Sequence, residues 1–111
     1  MSTTRFCLAL DLKDDPKLMA EYELYHRTVW PEILKSIRDA GIRHMEIYRT
    51  GNRLMMMIEA GESFSFERKS LADAGDPKVQ EWEKLMWSYQ QALPHAKPGE
   101  KWMLMENIFR L

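Results

Sequence analysis

Tyr22, His26 and Trp30 fall four residues apart, and Pro31 follows Trp30 directly. On a helix that spacing sets a phenol, an imidazole and an indole along one stripe, one turn after another. The set holds two proton-transfer groups and one flat apolar ring. Imidazole exchanges its proton near neutral pH. A phenol one turn away can donate while the imidazole accepts. An indole face packs on the apolar side of a small, ring-shaped, polyhydroxylated molecule. These are the parts needed for acid/base chemistry on such a substrate.

Each residue type also has a plainer reading. A lone helix histidine is commonly solvated, and a lone tyrosine or tryptophan commonly fills a core. Trp82 falls on a second helical segment and offers another flat platform, whereas Trp87 and Trp102 carry only the core reading. Glu59 sits at a strand end, where a solvated carboxylate is the default. His26, His44 and His95 show no i, i+4 pairing and no cysteine partner, so the spacing predicts no metal site. No Gly-rich phosphate loop is present, which argues against a nucleotide cofactor.

The elements that must position these residues read in order. Phe6 to Leu12 is a first strand. Asp15-Pro16 starts a helix, with Asp as N-cap and Pro at the first helical position. Met19, Tyr22, His26, Val29, Ile33 and Ile37 keep helical spacing up to Gly41, a natural stop. Pro31 lies inside this run and should kink or restart the helix. Met45 to Arg49 and Leu54 to Glu59 are strands joined through Gly51-Asn52, a hairpin signal. Ser63 to Ala74 reads as a short helix. Asp76-Pro77 opens a second main helix predicted to reach Ala92, and Trp102 to Phe109 reads as a last strand.

The order is βαββαβ. Two consecutive right-handed crossovers of that kind predict an α+β, ferredoxin-like sandwich, with four antiparallel strands and helices on one face. The open face of such a sheet should alternate to polar. Here both faces read apolar. Leu54, Met56 and Ile58 oppose Met55 and Met57, and Trp102, Leu104 and Ile108 oppose Met103, Met105 and Phe109. The second face is therefore expected against the same face of another copy, a homodimer packed sheet to sheet into a barrel. Methionine suits such an adaptable surface, and the chain carries nine.

The bulk numbers exclude other classes. The 111 residues make one domain over the whole chain, 1–111. Lys plus Arg number 16 and Asp plus Glu 17, scattered rather than clustered, so no nucleic-acid or anionic-membrane footprint exists. Cys7 is the single cysteine and cannot form an internal disulfide. The opening apolar run is short and broken by Asp11, unlike a signal peptide or membrane span. A soluble, cytoplasmic protein is expected.

The segment Glu21-Tyr22-Glu23-Leu24-Tyr25-His26-Arg27-Thr28-Val29-Trp30-Pro31-Glu32 resembles the L-rhamnose mutarotase family, which carries Tyr, His and Trp-Pro-Glu at this spacing. The likeness extends over nearly the whole chain, including Gly41, Ile47-Tyr48, the Trp82 region and Ile108-Phe109. It implies a dimeric ferredoxin-like barrel that interconverts the α and β anomers of a 6-deoxy monosaccharide without a cofactor. Tyr22 and His26 would then transfer protons, in an order left open, and Trp30 and Trp82 would line the sugar pocket. Two positions depart from rhamnose-specific members. Met45 stands where they have Tyr, and Glu83 where they have a second Trp. These substrate-binding positions, together with the opening Phe6 to Leu12 run, tilt the resemblance toward an L-fucose branch. The same dimeric barrel also hosts small monooxygenases acting on quinols or haem, and a sugar-binding module without catalysis would share the pocket. Fold alone does not separate these readings.

Overall fold

The computed structural model describes residues 2–111. Strand β1 (Thr4–Leu12) is followed by α1 (Pro16–Arg27), α2 (Pro31–Asp39), β2 (Ile42–Thr50) and β3 (Arg53–Ala60). Then come α3 (Phe66–Ala74), α4 (Pro77–Trp87), β4 (Gln90–Gln91) and β5 (Met103–Leu104). The strands run in the order β2-β3-β1-β4, all antiparallel, with β5 also paired to β1. This is the ferredoxin-like arrangement with its fourth place shared. Gln90–Gln91 pair with Asp11 and Leu12, and Met103–Leu104 pair with Ala9 and Leu8.

Local chemistry explains most boundaries. The Asp15 carboxylate accepts from the backbone N–H groups of Lys17 and Leu18, and Asp76 does the same for Lys78 and Val79. Proline at the first position has no N–H, so two of the three remaining orphan donors at each helix start are thereby satisfied. Gly41 has φ +96°, and a Cβ there would meet Ser63 Oγ at 2.9 Å, so only glycine turns the chain from α2 into β2. Gly51, φ +56°, opens the turn between β2 and β3.

Three expectations need correction. The first is the single stripe through Trp30, because Pro31 restarts the helix, one of the two outcomes expected of it. A residue before proline is pushed toward extended backbone, and Trp30 has φ −56°, ψ 136°. Trp30 therefore leaves the helical stripe of Tyr22 and His26. Second, α4 stops at Trp87 rather than Ala92. The Ser88 hydroxyl donates to the Leu85 carbonyl at 2.6 Å, a local bond that competes with further helix, and the chain then pairs with β1. Third, the last strand spans Met103–Leu104 only, with one further bond from Met105 N–H to the Cys7 carbonyl. Beyond it Ile108 and Phe109 are 91% and 76% exposed, because no strand of the same chain lies beside them.

The helix-facing side of the sheet carries the core. Leu8, Leu10 and Leu12 of β1 and Leu54, Ile58 and Ala60 of β3 are buried there. Fully burying a leucine or isoleucine contributes about 1.5–3 kcal/mol. One cluster joins Leu12 and Leu54 to Tyr22, Ile33, Val79, Trp82, Met86 and Tyr89. A second joins Leu8, Ile42, Ile58 and Ala60. A cavity opens between the helices and the sheet and runs past both clusters. The opposite face presents Cys7, Ala9, Met55, Met57 and Met103, none fully buried.

Candidate active site

The cavity is about 1010 Å³ and is lined by Tyr22, His26, Met45, Trp82, Glu83 and Gln90 among others. Helix α1 supplies both candidate proton-transfer groups from its last two turns. The Tyr22 and His26 rings lie 4.4 Å apart at 36°. His26 Nδ1 is 2.8 Å from the Tyr22 carbonyl oxygen. A carbonyl only accepts, so Nδ1 carries the proton and Nε2 holds a free lone pair. Burial lowers the His26 pKa below its ordinary value, partly offset by the Tyr22 carbonyl. The imidazole is therefore neutral at physiological pH, with Nε2 as a base.

Tyr22 is the complement. It is 3% exposed, and burial raises its pKa, an effect that a hydrogen bond from Gln90 partly opposes. Gln90 Nε2 donates to the Tyr22 hydroxyl at 3.2 Å. Among the described residues no group accepts the phenol's own proton. The site thus sets a deprotonated nitrogen and a protonated oxygen side by side, one poised to take a proton and the other to give one.

Trp82 stands on α4 with its ring 5.7 Å from His26, edge to face. Its position follows from the Asp76-Pro77 start, since α4 packs against α2 and shares the first core cluster. Trp30 packs edge-on against Trp82, centroids 5.0 Å apart, and is not among the residues lining the cavity. The two indoles do not form two walls; one backs the other. Glu83 follows Trp82, is half-buried, and has no hydrogen-bond or ion-pair partner among the described residues. Met45 of β2 lies opposite Ile58 and faces the same cavity.

Gln90 was not legible in the sequence, where Asp76 to Ala92 reads as one helix. Only the two-residue pairing with β1 turns its side chain inward beside Leu12. His44 also borders the cavity, but its Nε2 is paired with Glu46 at 2.9 Å on an exposed edge. No group of three or more His, Cys, Asp or Glu side chains among the described residues is placed to hold a metal ion.

A family model described as L-rhamnose mutarotase matches residues 5–111. The chain belongs to the L-rhamnose mutarotase family. It is a sugar mutarotase, an isomerase acting on carbohydrates. Within that family it is 50% identical over 113 residues to an L-fucose mutarotase of Xanthomonas campestris pv. campestris, covering 100% of this chain and 90% of that protein. It is 27% identical over 96 residues to an L-rhamnose mutarotase of Acidiphilium cryptum, covering 82% of this chain and 86% of that one. The crystal structure of an L-rhamnose mutarotase from Formosa agariphila shares the fold, with a TM-score of 0.71 at 20% identity over 97% of this chain and 98% of that one. Tetracenomycin F2 cyclase from Streptomyces glaucescens shares it too, with a TM-score of 0.62 at 20% identity over 97% and 96% of the chains. A mutarotase and a polyketide cyclase on one scaffold show why the site, not the fold, must carry the function. No helix of the described residues is long and apolar enough to cross a membrane.

Proposed function

We propose that the protein interconverts the α and β anomers of L-fucose in preference to L-rhamnose, with His26 and Tyr22 as the proton-transfer groups. The observation that carries the mechanism is the Nδ1 bond of His26, which leaves Nε2 unprotonated beside a protonated phenol. Nε2 takes the proton of the sugar's O1 hydroxyl. The C1–O5 bond breaks as the Tyr22 phenol gives its proton to the ring oxygen. The open aldehyde turns about C1–C2. O5 then attacks the other face of C1, returns a proton to Tyr22, and the former carbonyl oxygen takes one back from His26. Every proton is restored and no cofactor takes part.

Trp82 offers its indole to the sugar's apolar side, and Trp30 holds that ring in place. Glu83 and Met45 stand on the cavity lining where rhamnose-specific members carry aromatic groups, and an unpaired carboxylate at Glu83 suits a re-oriented ring hydroxyl. The 50% identity to an L-fucose mutarotase supports the same sugar.

The working form is a homodimer through the open sheet face. That face is centred on Cys7, Ala9, Met55, Met57 and Met103, too apolar to meet water alone. The segment after β5 adds Ile108, Phe109 and Leu111, all strongly exposed in one copy. A second copy covers both. Cys7, free and unpaired, fits a reducing cytoplasm.

The test is saturation-transfer NMR on the anomeric signals of L-fucose and L-rhamnose side by side. Enzyme-dependent exchange, faster with L-fucose, is expected. Equal or faster exchange with L-rhamnose would overturn the substrate, and none with either sugar would overturn the reaction.

A further inference from the structure

Mutarotation by this pair asks one thing of Tyr22 that the phenol alone does not secure. Its proton must point at the substrate, and the phenolate left behind must be tolerated in a buried place. The Tyr22 oxygen is enclosed, and burial by itself makes an anion there costly.

We infer that Gln90, whose Nε2 donates to the Tyr22 hydroxyl at 3.2 Å, is the positioning residue that makes Tyr22 the acid of the pair. The inference rests on the mutarotase reading above. Gln90 is 6% exposed and lines the same cavity. Its backbone is held by the β1 ladder opposite Leu12, and the neighbouring Tyr89 carbonyl accepts from Lys13 N–H at 2.9 Å. The amide is therefore fixed from the sheet, not from the helix that carries Tyr22.

Two consequences follow from one bond. An amide N–H occupies a lone pair of the phenol oxygen, so the O–H cannot turn toward Gln90 and is left for the cavity. When the proton departs, the same N–H stabilises the phenolate in the manner of an oxyanion donor. Tyr89 does not share this role, since its hydroxyl donates to Glu21 at 3.0 Å.

The experiment compares wild type, Gln90→Glu and Gln90→Met by anomer-exchange NMR with L-fucose and L-rhamnose, reading kcat and KM separately, with thermal melting of each. Gln90→Met removes the donor but keeps the bulk, and should lower kcat about 10- to 100-fold with KM within about twofold. Gln90→Glu is isosteric but offers an acceptor, which draws the phenol proton away and repels the phenolate. Its kcat should fall further, again at nearly constant KM. A purely structural role would move KM and melting together, without the Glu-below-Met order. Wild-type kcat in Gln90→Glu overturns the inference, as it would if the amide were turned over with its oxygen accepting from Tyr22. If Gln90→Glu does not fold, Gln90→Met decides alone, and wild-type kcat there overturns it equally. Absence of exchange in the wild type itself fails the mutarotase reading, an outcome distinct from exchange that ignores Gln90.

Discussion

His26 gives its Nδ1 proton to the carbonyl oxygen of Tyr22, 2.8 Å away and one helical turn back. The residue proposed as the acid thus also sets the tautomer of the proposed base, through its own backbone. The pairing needs only an i, i+4 relation inside α1 and is independent of how the helix docks. His26→Ala should lower anomer exchange by about 10²- to 10⁴-fold, the range of general acid/base catalysis. Circular dichroism should remain that of the wild type, because His26 is only half-buried.

The acid limb of the rate follows from the burial of His26, which outweighs that bond. Burial holds the His26 pKa below the ordinary value, which is about 6.5. The base is more than half neutral in the folded protein at about pH 6.5 and increasingly so above it, so kcat should level off towards neutral pH and fall in acid. Stability has the same sign. Between the folded and unfolded pKa values the unfolded chain binds more protons, so stability rises with pH there. The contribution is fully present above about 6.5 and is lost as pH falls through the lower folded value. A chemical-denaturation series from acid to neutral pH on wild type and His26→Ala should show this slope in the wild type alone.

Trp82 and Trp30 should separate stability from catalysis. Trp82 is 8% exposed, in the core cluster, and faces the cavity. Trp82→Ala should cost about 3–5 kcal/mol in urea unfolding and abolish sugar binding. Trp30→Phe keeps an aromatic ring behind Trp82 and should change KM by less than about threefold, since the ring does not line the cavity. Equal KM effects in Trp30→Phe and Trp82→Phe would contradict this division of labour.

Glu83 and Met45 sit on opposite sides of the cavity, on α4 and β2. Restoring the aromatic pair with Met45→Tyr and Glu83→Trp should move the L-rhamnose to L-fucose ratio of kcat/KM upward. A lost sugar hydrogen bond of ordinary size corresponds to about two- to tenfold. Glu83→Gln should have a smaller effect in the same direction. An unchanged ratio in the double variant would remove these positions from specificity.

The last segment should control assembly. Deleting residues 106–111 removes Ile108, Phe109 and Leu111, each exposed in a single copy. If a second copy buries them, each contributes about 1.5–3 kcal/mol. The truncated chain should then dimerise at least about a hundredfold more weakly. Sedimentation velocity over a concentration series reads this directly. Identical dissociation curves would place the interface elsewhere.

What could be read in advance was local. The Asp15-Pro16 and Asp76-Pro77 starts appear as capped helices because cap chemistry involves neighbours two or three residues apart. Gly51-Asn52 forms its hairpin turn for the same reason. Tyr22 and His26 share a face because both lie on one unbroken helix. Trp30 was misplaced because Pro31 resets the backbone, and a stripe drawn through a proline assumes a continuity the chain does not have. Glu83 and Met45 lie on the cavity, while Trp30 does not. Gln90 was invisible because its inward aim is set by pairing with Leu12, far away in sequence. The strand β4 is hidden in the same way, since its partner lies on β1 rather than nearby, whereas Met103–Leu104 falls inside the strand expected over Trp102 to Phe109.

The bond between Tyr22 and Gln90 joins residues 68 positions apart. Contacts of that separation close late, after the loop entropy between them has been met. Helix α1 and the β2-β3 hairpin can form before Gln90 reaches the Tyr22 hydroxyl. During refolding, recovered activity should therefore lag recovered ellipticity. Turnover is a clock for the final docking of the chain, and a partly assembled molecule will look folded before it can act.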